Sequence, residues 1–199
     1  MLLHEKLKER KVILASNSPR RRQLLADAGI PFTVAEKYEC EECWPDDMPS
    51  GEVAAYLSRL KSEAYPRPLT CGEILITADT TVNTGGCVLG KPADRAEALQ
   101  MLSQLSGRTH KVITGVTLRT SDRTRTFSAE TLVSFREIAP DEAAYYVDTF
   151  RPYDKAGAYG IQEWIGYAAV ERIEGSFYNV MGLPVQRLYD ELLRFADGL

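Results

Sequence analysis

From Lys11 to Ala15 apolar residues stand side by side, the pattern of a buried strand, and after Pro19 the spacing changes to a helical stripe of Leu24, Leu25 and Ala28. Ser18 fits the N-cap, Pro19 the first helical position, and Gly29 with Pro31 the stop. The chain therefore opens as strand, loop and helix. A second stripe, Val53, Leu57, Leu60 and Ala64, follows Ser50 as a cap and leaves Lys61 at its edge. The apolar run Glu73 to Ala78 predicts a strand that ends in Asp79-Thr80-Thr81, ahead of a hairpin turned at Gly85-Gly86 and closed by Gly90-Lys91-Pro92.

Asp94 with Glu97 predicts a capped helix to about Leu105, stopped at Gly107. Lys111 to Arg119 and Arg125 to Phe135 read as antiparallel strands about a Ser121-Asp122 turn, and the alternation Phe127, Ala129, Thr131, Val133, Phe135 buries one face of the second. Pro140-Asp141 opens a helix to about Thr149, a loop rich in Gly and Tyr follows, and Tyr167 to Ile173 reads as a strand. Pro184 starts the last helix, whose Leu188, Tyr189, Leu192, Leu193 and Ala196 keep helical spacing and so pack on the body. Strands and helices interleave without repeats or low-complexity linkers, which is the mixed α/β class.

A chain of 199 residues, 44% hydrophobic and 26% charged, can bury a substantial core without needing two domains, so one domain over 1–199 is expected. With 24 Lys+Arg against 28 Asp+Glu the formal charge is −4, which attracts neither nucleic acid nor an anionic membrane and makes any basic site local. Met1 to Arg10 lacks the apolar core of a signal peptide, and no later stretch is apolar long enough to span a bilayer, so a soluble cytoplasmic protein is expected. The four cysteines are then expected to stay reduced; Cys40 and Cys43 are spaced as a pair, but Cys71 and Cys87 are too far apart to complete a zinc site.

Ser16-Asn17-Ser18-Pro19-Arg20-Arg21 is the sharpest chemical feature, because unpaired amides and the positive dipole end of a helix favour anions. The hydroxyls of Ser16 and Ser18 and the guanidiniums of Arg20 and Arg21 add donors suited to phosphate oxygens. A solvated arginine run is the plainer alternative, yet cations there oppose the helix dipole by about 0.3–1 kcal/mol each, a cost a bound polyanion reverses. Asp79 at a strand end is equally compatible with a site carboxylate or a turn former. Lys61 and Lys91, taken singly, read as surface lysines.

Gly85 to Lys91 holds Gly-x-x-x-x-Gly-Lys, but Pro92 stands where a P-loop needs Ser or Thr and then a helix, so that reading is rejected. His4 and His110 are too few and scattered for a histidine metal site, which leaves carboxylates and water as metal ligands. Asp154 to Gln162 combines a charge pair, small residues and an amide in a loop that lets backbone approach a ligand; Gln162 could read a base edge, or the segment could be an ordinary turn.

Taken together, Leu14 to Arg21, the acidic Glu39 to Glu42, Leu57 to Ala64 with Lys61, Ala78-Asp79-Thr80, Leu89-Gly90-Lys91-Pro92, Asp154 to Gln162 and Asn179 to Pro184 resemble the Maf family of nucleoside triphosphate pyrophosphatases over essentially the whole chain. The resemblance implies a mixed twisted sheet flanked by helices, with two lobes around a deep cleft, related to the inosine triphosphate pyrophosphatases. It also implies cleavage between the α and β phosphates, a role in clearing nucleotides and a link to septum formation.

The run Lys155 to Gln162 looks like the branch acting on dTTP and UTP, whereas members acting on 7-methyl-GTP differ there. Carried over by position, Asp79 is the proton acceptor, and Arg20, Thr80 and Gln162 set specificity, with Glu41, Lys61, Lys91 and Lys155 completing the site. Thr77 stands where many members have glycine, and the acidic run matches to within one or two residues of Glu41. The expected mechanism has Glu41 and Asp79 hold magnesium or manganese and a water, with Arg20, Arg21, Lys61 and Lys91 steadying the departing pyrophosphate. The expected partner is a nucleoside triphosphate, not nucleic acid or membrane, and the expected assemblies include a homodimer. A nucleotide-binding regulator of division without turnover is the rival.

Overall fold

The computed structural model describes residues 2–197. A short helix, Leu3–Lys6 (α1), buries Leu3 and leads into Lys11–Leu14 (β1), whose last three residues are buried. Pro19–Asp27 (α2) follows, then Thr33–Val34 (β2), Val53–Glu63 (α3) and the long strand Glu73–Thr84 (β3). β1 pairs in parallel with both β2 and β3, placing Leu14 beside Ile76; such pairing needs crossovers, which α2 and α3 supply. Gly85 and Gly86, at φ 56° and 82°, turn β3 into the antiparallel Cys87–Leu89 (β4), as a tight hairpin requires.

Arg95–Leu105 (α4) begins at Asp94, whose carboxylate accepts the Glu97 amide at 2.9 Å, while the Glu97 carboxylate accepts the Ala93 amide at 2.6 Å. Thr109–Arg119 (β5), Thr124–Phe135 (β6), Pro140–Phe150 (α5), Trp164–Ala169 (α6), Val170–Glu174 (β7), Phe177–Met181 (α7) and Val185–Asp197 (α8) complete the order. The strands form one seven-stranded mixed sheet, ordered β2-β1-β3-β5-β6-β7 with β4 on β3, so the class is mixed α/β. No helix among the described residues is long and apolar enough to cross a membrane.

The chain divides into two compact units, one comprising Met1–Asp79, Thr114–Ala129 and Gly182–Leu199, the other Thr80–Ile113 and Glu130–Met181. In the first, Gly115 on β5 lies against α3 so closely that a Cβ there would stand 2.2 Å from the Ala54 carbonyl oxygen. Only glycine permits that approach. In the second, Leu102, Val133, Phe135, Tyr146 and Ile165 belong to one buried apolar cluster.

Three elements depart from the sequence pattern. β3 does not end at Asp79 but continues to Thr84, because Thr81 and Val82 are buried and β-branched and extend the run. Tyr167 to Ile173 is not one strand: Trp164–Ala169 is helical, burying Ile165 and Ala169 at i and i+4 and leaving Tyr167 85% exposed, and β7 begins only at Val170. Helix α3 starts at Val53 with Glu52 at the N-cap, not at Ser50, since the Glu52 amide first closes a turn onto the Pro49 carbonyl at 2.8 Å.

Candidate active site

Parallel pairing fixes where β1 stops: the Ala15 amide donates to the Ile76 carbonyl at 2.9 Å, after which Ser16 to Ser18 turn the chain into α2. The half-buried Ser16 hydroxyl accepts the Ser18 amide at 3.2 Å and Arg21 Nη1 at 3.3 Å. Ser18 is the N-cap, with Pro19 next, yet its side chain makes no capping hydrogen bond. The first amides of this nine-residue helix are therefore not capped from Ser18, which suits an anion.

Arg20 and Arg21 part company. Arg21 turns inward, donating from Nε to the Gly182 carbonyl at 2.8 Å and from Nη1 to the Ala78 carbonyl at 2.7 Å. Burial pushes its guanidinium pKa down, opposed first by Asp79, and an arginine stays charged even so. Arg21 thus clips the residue before Asp79 to the start of α2, an arrangement invisible in an arginine run. Arg20 is half-buried one position earlier on the same turn.

Asp79 and Lys61 meet because α3 is seated on the strands. Thr77 Oγ1 donates to the Ser58 carbonyl at 2.6 Å, the Ser58 and Thr117 hydroxyls lie 2.9 Å apart, and Tyr38 donates to the Lys61 carbonyl at 2.7 Å. Thr77 is thus itself a seat for α3. Lys61 Nζ lies 2.5 Å from Asp79 Oδ1 and 2.9 Å from Glu42 Oε2. Glu42, not Glu41, is the acidic residue that reaches Lys61, although both residues are exposed. An irregular loop has no period from which sequence could choose between them.

The side chains of Lys61 and Asp79 are 16% and 13% exposed and that of Glu42 46%, so a largely desolvated ammonium links two carboxylates beside the surface. Two oxygen donors of this kind suit a hard divalent cation that completes its shell with water and phosphate oxygens. Among the described residues no group of three or more His, Cys, Asp and Glu stands ready to hold a metal alone. All four cysteines are free, and burial, then Glu42, pushes the Cys40 thiol pKa up, which favours the protonated form.

The second unit carries the other candidates. Thr80 is half-buried on β3, pointing to the face opposite Asp79 as successive strand residues must. Lys91 is exposed after β4, and the neighbouring Gly90 carbonyl accepts the Gly157 amide at 3.0 Å, bringing the 154–162 segment beside it. Lys155 is only 8% exposed, with Nζ 2.7 Å from Asp154 Oδ1 and 3.0 Å from Glu163 Oε1. The buried Gln162 Oε1 has no hydrogen-bond donor among the described residues. Sequence reasoning missed Glu163 and Tyr146, whose hydroxyl donates to Glu163; the only signal was Glu163 standing next to Gln162.

The family match and the sequence relatives agree on one family. Residues 11–195 match the family described as Maf-like protein. A dTTP/UTP pyrophosphatase of Parabacteroides distasonis is 53% identical over 191 residues, 96% of this chain and 99% of that protein. One of Porphyromonas gingivalis is 49% identical over 196 residues, 98% of each chain, and one of Bacteroides thetaiotaomicron is 50% identical over 181, 91% of this chain and 94% of that protein. A solved structure of a HAM1 protein from Coxiella burnetii is similar at a TM-score of 0.48 and 15% identity, covering 93% of this chain and 99% of that one. With a family match over nearly all of its length and relatives at about half identity end to end, the chain belongs to the Maf family.

Proposed function

We propose that this chain hydrolyses dTTP and UTP to the monophosphate and pyrophosphate, with Asp79 as the proton acceptor. The observation that carries the reaction class is the Asp79–Lys61–Glu42 cluster, at 2.5 and 2.9 Å, in a chain whose full-length relatives are dTTP/UTP pyrophosphatases. A protein that only bound nucleotide would gain nothing from two carboxylates, which repel phosphate unless a cation intervenes.

Glu42 and Asp79 would hold a magnesium or manganese ion, which supplies positive charge against the phosphate oxygens and an acidified water. Glu42 takes this place instead of Glu41 because its carboxylate is the one at Lys61. Asp79 accepts the proton of the water whose oxygen attacks the α-phosphorus; the bond from that phosphorus to the α–β bridging oxygen breaks, and pyrophosphate leaves with that oxygen. Lys61 orients the two carboxylates. Ser16, Ser18 and Arg20 bind phosphate oxygens at the start of α2, Lys155 binds the substrate, and Lys91 serves the charge of the leaving group. Arg21 acts from behind, through its bonds to the Ala78 and Gly182 carbonyls.

The buried Gln162 Oε1 favours a thymine or uracil base. It needs a donor, and these bases present N3–H between two carbonyls, so the same amide can accept from N3–H and donate to a neighbouring oxygen. Cytosine offers an acceptor at N3, and a misfit there costs roughly 1–3 kcal/mol. Thr80 is the second residue proposed to set the base. Incubation with dTTP, UTP, dCTP and 7-methyl-GTP in magnesium, separating pyrophosphate from orthophosphate, tests reaction and base together. Pyrophosphate from dTTP and UTP is expected, lost in Asp79→Asn; release undiminished in a folded Asp79→Asn protein would remove Asp79 from the mechanism.

A further inference from the structure

The 154–163 segment carries two side chains proposed to touch substrate, Lys155 and Gln162, and three observations place a third side chain on Lys155 and beside Gln162. Glu163 Oε1 is 3.0 Å from Lys155 Nζ. Glu163 Oε2 accepts the hydroxyl of Tyr146, and that same hydroxyl accepts the Gly160 amide at 3.0 Å. Finally, a Cβ built on Gly160 would lie 2.9 Å from each of Gln162 Nε2, Glu163 Cδ and Lys155 Cε, so the three side chains converge over one Cα.

We propose that Glu163 is a positioning residue for substrate selection, gripping the Lys155 ammonium with one carboxylate oxygen and the Tyr146 hydroxyl with the other, and thereby fixing how Lys155 and Gln162 meet the nucleotide. The anchor behind this grip is buried. Tyr146 lies on α5, is fully buried and stacks on Phe150 with ring centroids 5.2 Å apart. Burial, then the Glu163 hydrogen bond, pushes its phenol pKa well above the ordinary range, so it stays a donor to the carboxylate.

The Glu163 amide also donates to the Gly160 carbonyl at 2.9 Å, closing a small ring of backbone and side-chain bonds through Gly160, Tyr146 and Glu163. Without the Glu163 carboxylate, the Lys155 ammonium keeps the contact to Asp154 at 2.7 Å, whose side chain is 57% exposed and offers a far less fixed anchor. Hydrogen bonds to a charged acceptor are roughly twice as strong as neutral ones, so replacing the carboxylate by an amide of the same shape weakens both arms of the grip.

The inference rests on the proposed reading of Lys155 and Gln162 as substrate contacts, and its test separates the two. Steady-state kinetics on dTTP, UTP and dCTP would compare wild type with Glu163→Gln and Tyr146→Phe. In both variants KM for dTTP should rise roughly tenfold and the dTTP to dCTP ratio of kcat/KM should fall by a similar factor, while kcat stays within about threefold. Should Glu163→Gln fail to fold by circular dichroism, Tyr146→Phe carries the test, since it removes one hydroxyl from an apolar setting.

In the double variant Gln162→Ala with Glu163→Gln, discrimination should fall no further than in Gln162→Ala alone, because the two act as a unit. If wild type discriminates but both single variants keep its KM and its ratio, or lose only kcat, Glu163 is a structural residue and the inference is overturned. If wild type itself treats dTTP and dCTP alike, the base reading falls first and the inference falls with it.

Discussion

His110 makes acid sensitivity a test of how the second unit is packed. Its ring is 1% exposed, Nε2 lies 2.8 Å from the Tyr159 hydroxyl, and Phe135 and Tyr159 meet it edge-on at 4.9 and 5.4 Å. Nδ1 is buried without a partner among the described residues, and burial pushes the imidazole down to about 4 from 6.5. Between those values the unfolded chain takes up a proton that the folded chain refuses, so stability falls as pH drops through 6.5 and the loss is complete below 4.

A drop of that size is worth about 3 kcal/mol in full, and about 2 kcal/mol of it falls between pH 7 and pH 5. Glu73 and Glu142, held low by Arg67 and Arg136, keep their contributions above the unfolded carboxylate value of 4.5 and lose them as pH falls from there towards their lowered folded values, below that window. Urea unfolding read by tryptophan fluorescence should therefore show wild type losing roughly 1 M of midpoint from pH 7 to pH 5, taking a slope of about 2 kcal/mol/M. His110→Phe should be less stable at pH 7, with the Tyr159 hydroxyl left unpaired, but should lose most of the pH slope. Equal slopes in the two proteins would refute the burial argument.

Two further outcomes bear on the site and its scaffold. Glu42→Gln should lower kcat/KM for dTTP by about a hundredfold or more, and Glu41→Gln should stay within about twofold, measured as pyrophosphate release across a magnesium titration; the reverse order would restore Glu41 as the metal carboxylate. Gly115→Ala drives a methyl group at the Ala54 carbonyl and should cost about 1–3 kcal/mol in denaturant unfolding, with activity falling because α3 carries Lys61; an unchanged midpoint would mean that α3 can retreat freely.

Much of this fold is written in short-range signals. The Gly85-Gly86 hairpin, the Asp94–Glu97 cap, the paired strands about Ser121-Asp122 and the class itself follow from periodicity and turn chemistry, because each depends on residues close in sequence. What escaped depends on partners far along the chain. Asp79 looks like the end of a strand until Thr81 and Val82 are seen to be buried, and Ile165 and Ala169 mark a helix only because both are buried. Arg21 is indistinguishable from Arg20 until its guanidinium is found on the Ala78 and Gly182 carbonyls. Glu42 was separable from Glu41 only by the reach of Lys61, and Glu163 only by a tyrosine on another helix.

The uninterrupted course of β3 also constrains how such a chain can evolve. Asp79 ends the first segment of one compact unit and Thr80 begins the first segment of the other, so the proposed proton acceptor and a proposed selector of the base are separated by a single peptide bond. Strand geometry turns them to opposite faces, and inserting or deleting one residue upstream within β3 would exchange those faces for every side chain that follows. New substrate preferences are therefore reachable by substitution at Thr80 or in the 154–163 segment, whereas changes of length in β3 would shift the chemistry and the selectivity together.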